Sequence, residues 1–253
     1  MIELITTANK LNKINSLIHV GGHIGQEVNF YKSLNLQKVI YFEPVKEFSD
    51  EIKKKVNNLP NFVVHNCALG NQNQSKLINI ADKGVNDNSG STSLLEPRRS
   101  EITFSEKQTI KVKKYSSFQY TNIDLAVLDT QGYELEVLKG FEDKITTFKF
   151  LIIEFSNFEG YINQPVYKEL NKFLNNNNFF MITQKKKILK VLPNNNSGSY
   201  GDALYLNSKL ISSKSIYILR IKFFLLNNFI ADFFGKYLNT SYWKEKIKKF
   251  IHY

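Results

Sequence analysis

Cysteine is almost missing: Cys67 stands alone among 253 residues. An internal disulfide and a thiolate zinc cluster are therefore excluded, and the setting Val63-Val64-His65-Asn66-Cys67-Ala68-Leu69 reads as a buried strand end rather than a nucleophile site. Long apolar runs are missing too. The richest stretch, 216–234, is broken by Arg220, Lys222, Asn227, Asn228 and Asp232, which leaves no span of about 18 apolar residues to cross a membrane. Residues 1–10 lack the basic start and apolar centre of a signal peptide, so the expected compartment is the cytoplasm.

What is present suits one α/β core with an appendage. The apolar share is 42%, the charged share 23% and the aromatic share 13%, mostly Phe and Tyr, enough volume for a core. The net charge of +11 is uneven. Residues 207–253 hold nine Lys or Arg against Asp232 and Glu245, so they carry +7 of it. We divide the chain into 1–206, the principal domain, and 207–253, a basic, aromatic-rich helical extension. That extension suits packing on the core or on a second subunit, or an interfacial helix on an anionic membrane.

Short apolar runs alternate with helical patterns: strands at 16–20, 38–42 and 61–66, helices at 25–34 and 45–56. The rhythm is that of βαβ units, a parallel sheet with helices on both faces. Strands at 75–81 and 109–113 bracket the Gly, Ser and Asn rich segment 83–93, long enough to be a binding loop. Alternation resumes with strand 124–128, helix 134–140, strand 150–155 and helix 165–174. Strands 179–183, 187–192 and 203–206 then place an antiparallel element on the sheet.

The stretch LIHVGGHIGQ, residues 17–26, sets Gly21, Gly22 and Gly25 between a strand and a helix. Without Cβ atoms the chain turns sharply and lets a ligand approach, and a helix start offers N–H groups. Strand 38–42 ends at Glu43, a carboxylate placed to accept both hydroxyl protons of a ribose. A dinucleotide fingerprint would need glycine where Val20 stands, which disfavours NAD. A phosphate loop would need G-K-[ST], and Gly25 is followed by Gln26 and Glu27. An adenosine ligand without a pyrophosphate remains, and S-adenosylmethionine fits. The four-residue spacing of His19 and His23 would pair them on a helix but not on a strand and turn, and no third ligand is near. No metal site is expected. The two rings are expected to bond backbone groups or the charged ends of the cofactor.

LIHVGGHIGQE, VIYFEPV, NCALG, LAVLDTQGYELEVLKGF and LIIEFS, in this order from about residue 16 to 206, resemble the FkbM family of class I S-adenosylmethionine-dependent methyltransferases. The family usually has Asp where His19 stands and Asn where His23 stands. The resemblance implies a Rossmann-like seven-stranded sheet and O-methylation of sugars in bacterial surface polysaccharides or natural products. A nucleotide-activated heptose or similar sugar, in a capsule pathway, is the preferred acceptor. Carried over, Gly21, Gly22 and Gly25 would line the methionine end of the cofactor, and His19, His23 and Gln26 are further expected cofactor-binding residues. Glu43 would hold the ribose, Pro44 and Val45 would flank the adenine, and Asn66, Ala68 and Leu69 would lie along its edge.

Methyl transfer to a hydroxyl needs in-line placement and removal of a proton. Asp129, closing an apolar run, is the candidate base or organiser of the acceptor and also borders the cofactor. Glu154, closing the next strand, is the second catalytic candidate, with Gln131 and Tyr133 beside the acceptor. Asp129 with Glu154 would also suit a divalent ion, which is not expected but stays open. Glu134 has the bland role of an acid in a first helical turn. Ser91 and Ser93 correspond to a serine-rich loop of the family, and Arg98 with Arg99 would grip a diphosphate or simply be solvated. Nucleic-acid methylation is the second reading, prompted by charge. No Pro-Pro pair supports amino methylation and no Pro-Cys supports carbon-5 methylation, so no nucleic-acid partner is expected. A cofactor-binding scaffold without catalysis is the third. A peripheral place at the inner membrane, through 207–253, is the alternative to a purely cytoplasmic one.

Overall fold

The computed structural model describes residues 1–82, 88–98, 103–191 and 196–211. Its elements are α1 (Ile2–Leu11), β1 (Ser16–Val20), α2 (Val28–Ser33), β2 (Lys38–Phe42), α3 (Lys46–Val56), β3 (Phe62–His65), β4 (Ala68–Leu69) and β5 (Gln74–Ala81). A short 3-10 turn, Asn88–Ser91, leads towards β6 (Phe104–Lys113), β7 (Leu125–Leu128), α4 (Glu134–Gly140), β8 (Phe150–Ser156), α5 (Tyr167–Asn176), β9 (Phe179–Val191) and β10 (Asn196–Asn207). Backbone contacts gather Met1–Leu210 into one unit. The expected helical extension lies, from 212 onward, outside the described residues.

Seven strands form the main sheet in the order β3-β2-β1-β7-β8-β10-β9, parallel up to β8 and closed by the antiparallel pair β10 and β9. This is the Rossmann-like class I methyltransferase arrangement expected from the sequence. Strands β1 and β7 are buried along their whole length, which is why they read as continuous apolar runs. Ile18 and Val20 of β1 join Ala126, Leu128, Leu151 and Ile153 in a core closed by Val137 and Leu138 of α4 and Leu170 and Leu174 of α5. His19, pointing the other way, meets Tyr31 of α2.

Strand order reverses between β1 and β7, so a crevice opens beyond their carboxyl ends. A second sheet, β4-β6-β5, overhangs that crevice. Its Ile78, Ile80, Ile110 and Val112 pack on Val45, Phe48 and Ala68, so the segments expected as two flanking strands form a separate roof.

Four expectations are corrected. Helix α1 was not foreseen. Helix α2 starts at Val28 rather than at residue 25, because residues 23–27 are spent on turns, with His23 at φ 45° and Gly25 at φ 70°. The strand expected at 109–113 begins at Phe104. The three final strands are two, Phe179–Val191 and Asn196–Asn207, in one long hairpin. The charged run 185–187 belongs to its outer edge strand, where lysines discourage pairing with another chain.

Candidate active site

Gly21 ends β1 with φ 83°, and its N–H donates to the Phe42 carbonyl at 2.9 Å, while the Asp129 N–H donates to the Val20 carbonyl at 3.0 Å. The three strand ends are thereby tied at the mouth of the crevice. The Lys55 ammonium donates to the Ile24 carbonyl at 2.6 Å and braces the turn from α3.

The Glu43 carboxylate closes β2 and is 4% exposed. Its Oε2 accepts the His23 N–H and its Oε1 the Val45 N–H, both at 2.8 Å. Two backbone donors do not offset burial, which lifts its pKa from 4.5 to about 8. The folded chain therefore holds this proton more tightly than the unfolded chain. The resulting stability is full below about pH 4.5 and is lost as pH rises to about 8. Glu134, lifted to about 7 by burial, acts in the same direction. Denaturant midpoints at pH 5 and pH 8 should show Glu43→Gln losing less stability over this interval than the wild type. Equal losses would mean that Glu43 is already ionised at pH 5 in the folded chain.

His19 is 2% exposed, with Nδ1 3.0 Å from the Tyr31 hydroxyl and its ring stacked on Tyr41. Burial lowers its pKa to about 4, against the pull of Asp129. The imidazole is neutral, and burial keeps Tyr31 protonated, so the Tyr31 hydroxyl and Nδ1 share one hydrogen bond between two neutral groups. The His23 Nδ1 lies 3.0 Å from Gln26 Nε2, and its ring meets the Phe48 edge. Among the described residues, no three His, Cys, Asp or Glu side chains gather as a metal site.

A cavity of about 290 Å³ occupies the crevice. His19, Gly21, Gly22, His23, Gln26, Glu43, Pro44, Ala68, Leu69 and Asp129 line it, as do Ser93, Gln131 and Tyr133. Three expected cofactor residues stand behind its wall. Gly25 closes the turn by donating its N–H to the Gly22 carbonyl, Val45 supports Glu43, and Asn66 Nδ2 donates to the carbonyls of Glu43 and Pro44 at 3.0 and 2.9 Å. Phe48, Ile78, Leu94 and Thr130 are lining residues that sequence reading missed. Phe48 carried a signal: with Ile52 it marks the apolar stripe of α3.

A second cavity of about 210 Å³ adjoins through Gln131, which lines both. Its walls include Ser91, Glu154, Phe158, Tyr161, Gln164 and Tyr200. Gln131 Nε2 donates to Asp129 Oδ1 at 2.8 Å and to Glu154 Oε2 at 2.9 Å. The amide thus fills the place between the two acids where a shared ion was considered. Burial raises both acids. Asp129 also pushes Glu154 upward, while the Gln131 bond and His19 pull Asp129 down. Asp129 is the ionised member and Glu154 the protonated one.

Ser93 Oγ donates to the Gln131 carbonyl at 2.7 Å and fixes its turn. Tyr133, expected beside the acceptor, sits in the wall of the first cavity with its hydroxyl 3.1 Å from Lys76 Nζ. Arg98 lines neither cavity, and its exposed guanidinium is paired with Glu159 at 2.8 Å. Arg99 lies outside the described residues. Glu134 does more than face a helix dipole: its buried Oε1 accepts from the Thr130 N–H, the Thr130 hydroxyl and the Gly132 N–H, holding the loop that carries Gln131.

The family model of the methyltransferase FkbM domain matches residues 19–181. No curated protein matches the chain. Among solved structures, the methyltransferase FkbM from Methylobacillus flagellatus KT is similar over 76% of this chain, with 14% identity and a TM-score of 0.47; this chain spans 43% of its length. Magnesium protoporphyrin IX methyltransferase from Synechocystis PCC 6803, with bound S-adenosylmethionine, matches over 81% of this chain and 78% of its own, at 10% identity and TM-score 0.46. The N-methyltransferase NodS from Bradyrhizobium japonicum WM9 matches over 81% and 92%, at 6% identity and TM-score 0.45.

Proposed function

This chain belongs to the FkbM methyltransferase family, and from that premise we propose that it moves a methyl group from S-adenosylmethionine to a sugar hydroxyl. The acceptor in this reading is a nucleotide-linked sugar, a heptose or similar, used for capsule or another surface polysaccharide. The first cavity fits the cofactor. Each Glu43 oxygen accepts one backbone N–H, so once the buried group is ionised a lone pair remains on each for a ribose diol. Phe48, Ala68, Leu69 and Ile78 offer apolar walls for a base, and Gly21 and Gly22 leave room for the charged end near Asp129. When bound, S-adenosylmethionine supplies an electrophilic methyl on a sulfonium.

The observation that carries the reading is the shared wall: Gln131 borders both cavities and joins the two acids on that rim. An acceptor hydroxyl entering from the second cavity meets the ionised Asp129 as base, while Glu154, protonated, and Gln131 orient it. Phe158, Tyr161 and Tyr200, with Gln164 and no Lys or Arg among the described residues of the wall, suit a polyhydroxylated ring. We extend the proposal to 207–253 as a contact with an anionic membrane or a second copy. That would make the protein cytoplasmic, at the membrane periphery when docked. Among the described residues no helix is long and apolar enough to cross a membrane.

Incubation with labelled S-adenosylmethionine and a panel of nucleotide sugars, beside RNA and DNA, tests the reading. Label on a nucleotide sugar supports it; label on nucleic acid alone would replace it with the second reading. Absence of cofactor binding would leave a scaffold. By calorimetry above about pH 8, where Glu43 is ionised, Glu43→Ala should bind the cofactor about ten- to a hundredfold more weakly, the loss of charge-assisted hydrogen bonds worth about 1.5–3 kcal/mol. An unchanged affinity would remove Glu43 from the ribose site.

A further inference from the structure

Gln131 adopts φ 52°, a left-handed backbone uncommon for a residue with a side chain. Its amide is used at both ends. Nε2 spends its two hydrogens on Asp129 and Glu154, and Oε1 lies 3.2 Å from the Tyr161 hydroxyl. The two ends of a carboxamide have nearly the same shape, so its orientation is decided by the partner each end finds. Tyr161 is 5% exposed, and burial beside Glu154 keeps its hydroxyl protonated and therefore a donor. The same hydroxyl lies 3.0 Å from the Ser91 carbonyl, so its hydrogen is shared between two acceptors. Ser91 ends the turn Asn88–Ser91, whose Ser89 and Gly90 line the first cavity.

We infer that Tyr161 is a positioning residue of this centre: its hydroxyl fixes the Gln131 amide with the NH2 towards Asp129 and Glu154, and ties that amide to the loop 88–91. The catalytic meaning of the inference rests on the function proposed above; the hydrogen bond itself does not. Without the hydroxyl, Oε1 loses its donor, and a flipped amide would set its oxygen against the ionised Asp129. The amide is then held only from one end and opens more often. The titratable groups around it are Asp129 from the end of β7, Glu154 from β8, Asp202 from β10, Glu134 from α4 and His19 from β1.

Tyr161→Phe keeps the ring and deletes the donor. Nitrogen-15 spectra of protein labelled at glutamine, with the Gln131 signal assigned by its loss in Gln131→Met, report exchange of the side-chain NH2 with solvent. We expect exchange to be at least about tenfold faster in Tyr161→Phe. Methyl transfer from S-adenosylmethionine to the nucleotide-sugar panel should fall in each single variant. The double variant should match Gln131→Met to within about twofold, since the two residues act through one bond. Unchanged exchange would overturn the inference. Additive losses would also overturn it, by showing that Tyr161 acts through Ser91 or the acceptor instead. If the wild type methylates none of the sugars, the proposed function fails while the exchange result still decides the role of Tyr161.

Discussion

Asp129→Asn should lower methyl transfer by about 10²–10⁴-fold, the range for loss of a positioned general base, while weakening S-adenosylmethionine by no more than about tenfold. The substitution is nearly isosteric, and its remaining Oδ1 can still accept the Gln131 Nε2 hydrogen now held at 2.8 Å. Packing and the strand-end bond from the Asp129 N–H to Val20 are untouched. What disappears is the capacity to take a proton from an acceptor hydroxyl. Glu154→Gln serves as the comparison. Burial and the neighbouring Asp129 already keep Glu154 protonated, so a neutral Gln resembles its working form. Its loss should stay under about tenfold in turnover. Initial rates with the best nucleotide sugar of the panel, set beside calorimetric affinities, separate the two. If Glu154→Gln is the more damaged enzyme, the base is Glu154 and the ionised member of the pair has been misassigned.

The rim that holds these acids was legible because parallel strands buried on both faces leave a plain trace. Leu125-Ala126-Val127-Leu128 could only be an interior strand, so the acid after it had to emerge at a carboxyl end. Glu43 and Glu154 follow from the same logic, and α4 from its apolar spacing. Arg98 shows where such reading stops. Two adjacent arginines suit a diphosphate, but nothing in the chain before folding says that Glu159, 61 residues away, will be opposite one of them. Tyr161 and Gln164 escaped for a related reason. They sit in the loop between β8 and α5, where no periodicity marks which side chains turn inward.

Helix α1 was missed although Leu4, Ile5 and Ala8 form its buried stripe, because two threonines and two isoleucines lower the helical preference of so short a segment. Tertiary packing of that stripe decides the outcome. The hairpin errs the other way. Gln184-Lys185-Lys186 reads as a break between two strands, yet ladder bonds to β10 hold it extended at the sheet edge, where exposure costs the lysines nothing. Both failures come from contacts made far along the chain, whereas the glycine turn and its acid carry a local trace in their glycines and in the apolar runs before them.

Gly21→Ala should destabilise the fold by at least about 3 kcal/mol, by far the costliest single methyl at this site. At φ 83° an alanine pays about 1–2 kcal/mol for a left-handed backbone alone. Its Cβ would then stand 1.8 Å from the Asp129 carbonyl oxygen and 2.8 Å from the carbonyl carbon. Backbone, not a flexible side chain, would have to move, and the backbone in question joins β1 to β7 at the point where the sheet reverses its order. Separating those ends breaks the bond from the Asp129 N–H to Val20 and carries Asp129 away from Glu154 and Gln131. Stability and cofactor affinity should therefore fall together. Gly90→Ala is the matched control in the wall of the same cavity, since nothing lies within 4 Å of its added Cβ. Its stability should stay within about 0.5 kcal/mol of wild type. Urea unfolding of both variants, followed by calorimetry on whichever remains folded, reads the difference. A Gly21→Ala protein of near wild-type stability would mean that β1 and β7 do not approach as closely as the joined site requires.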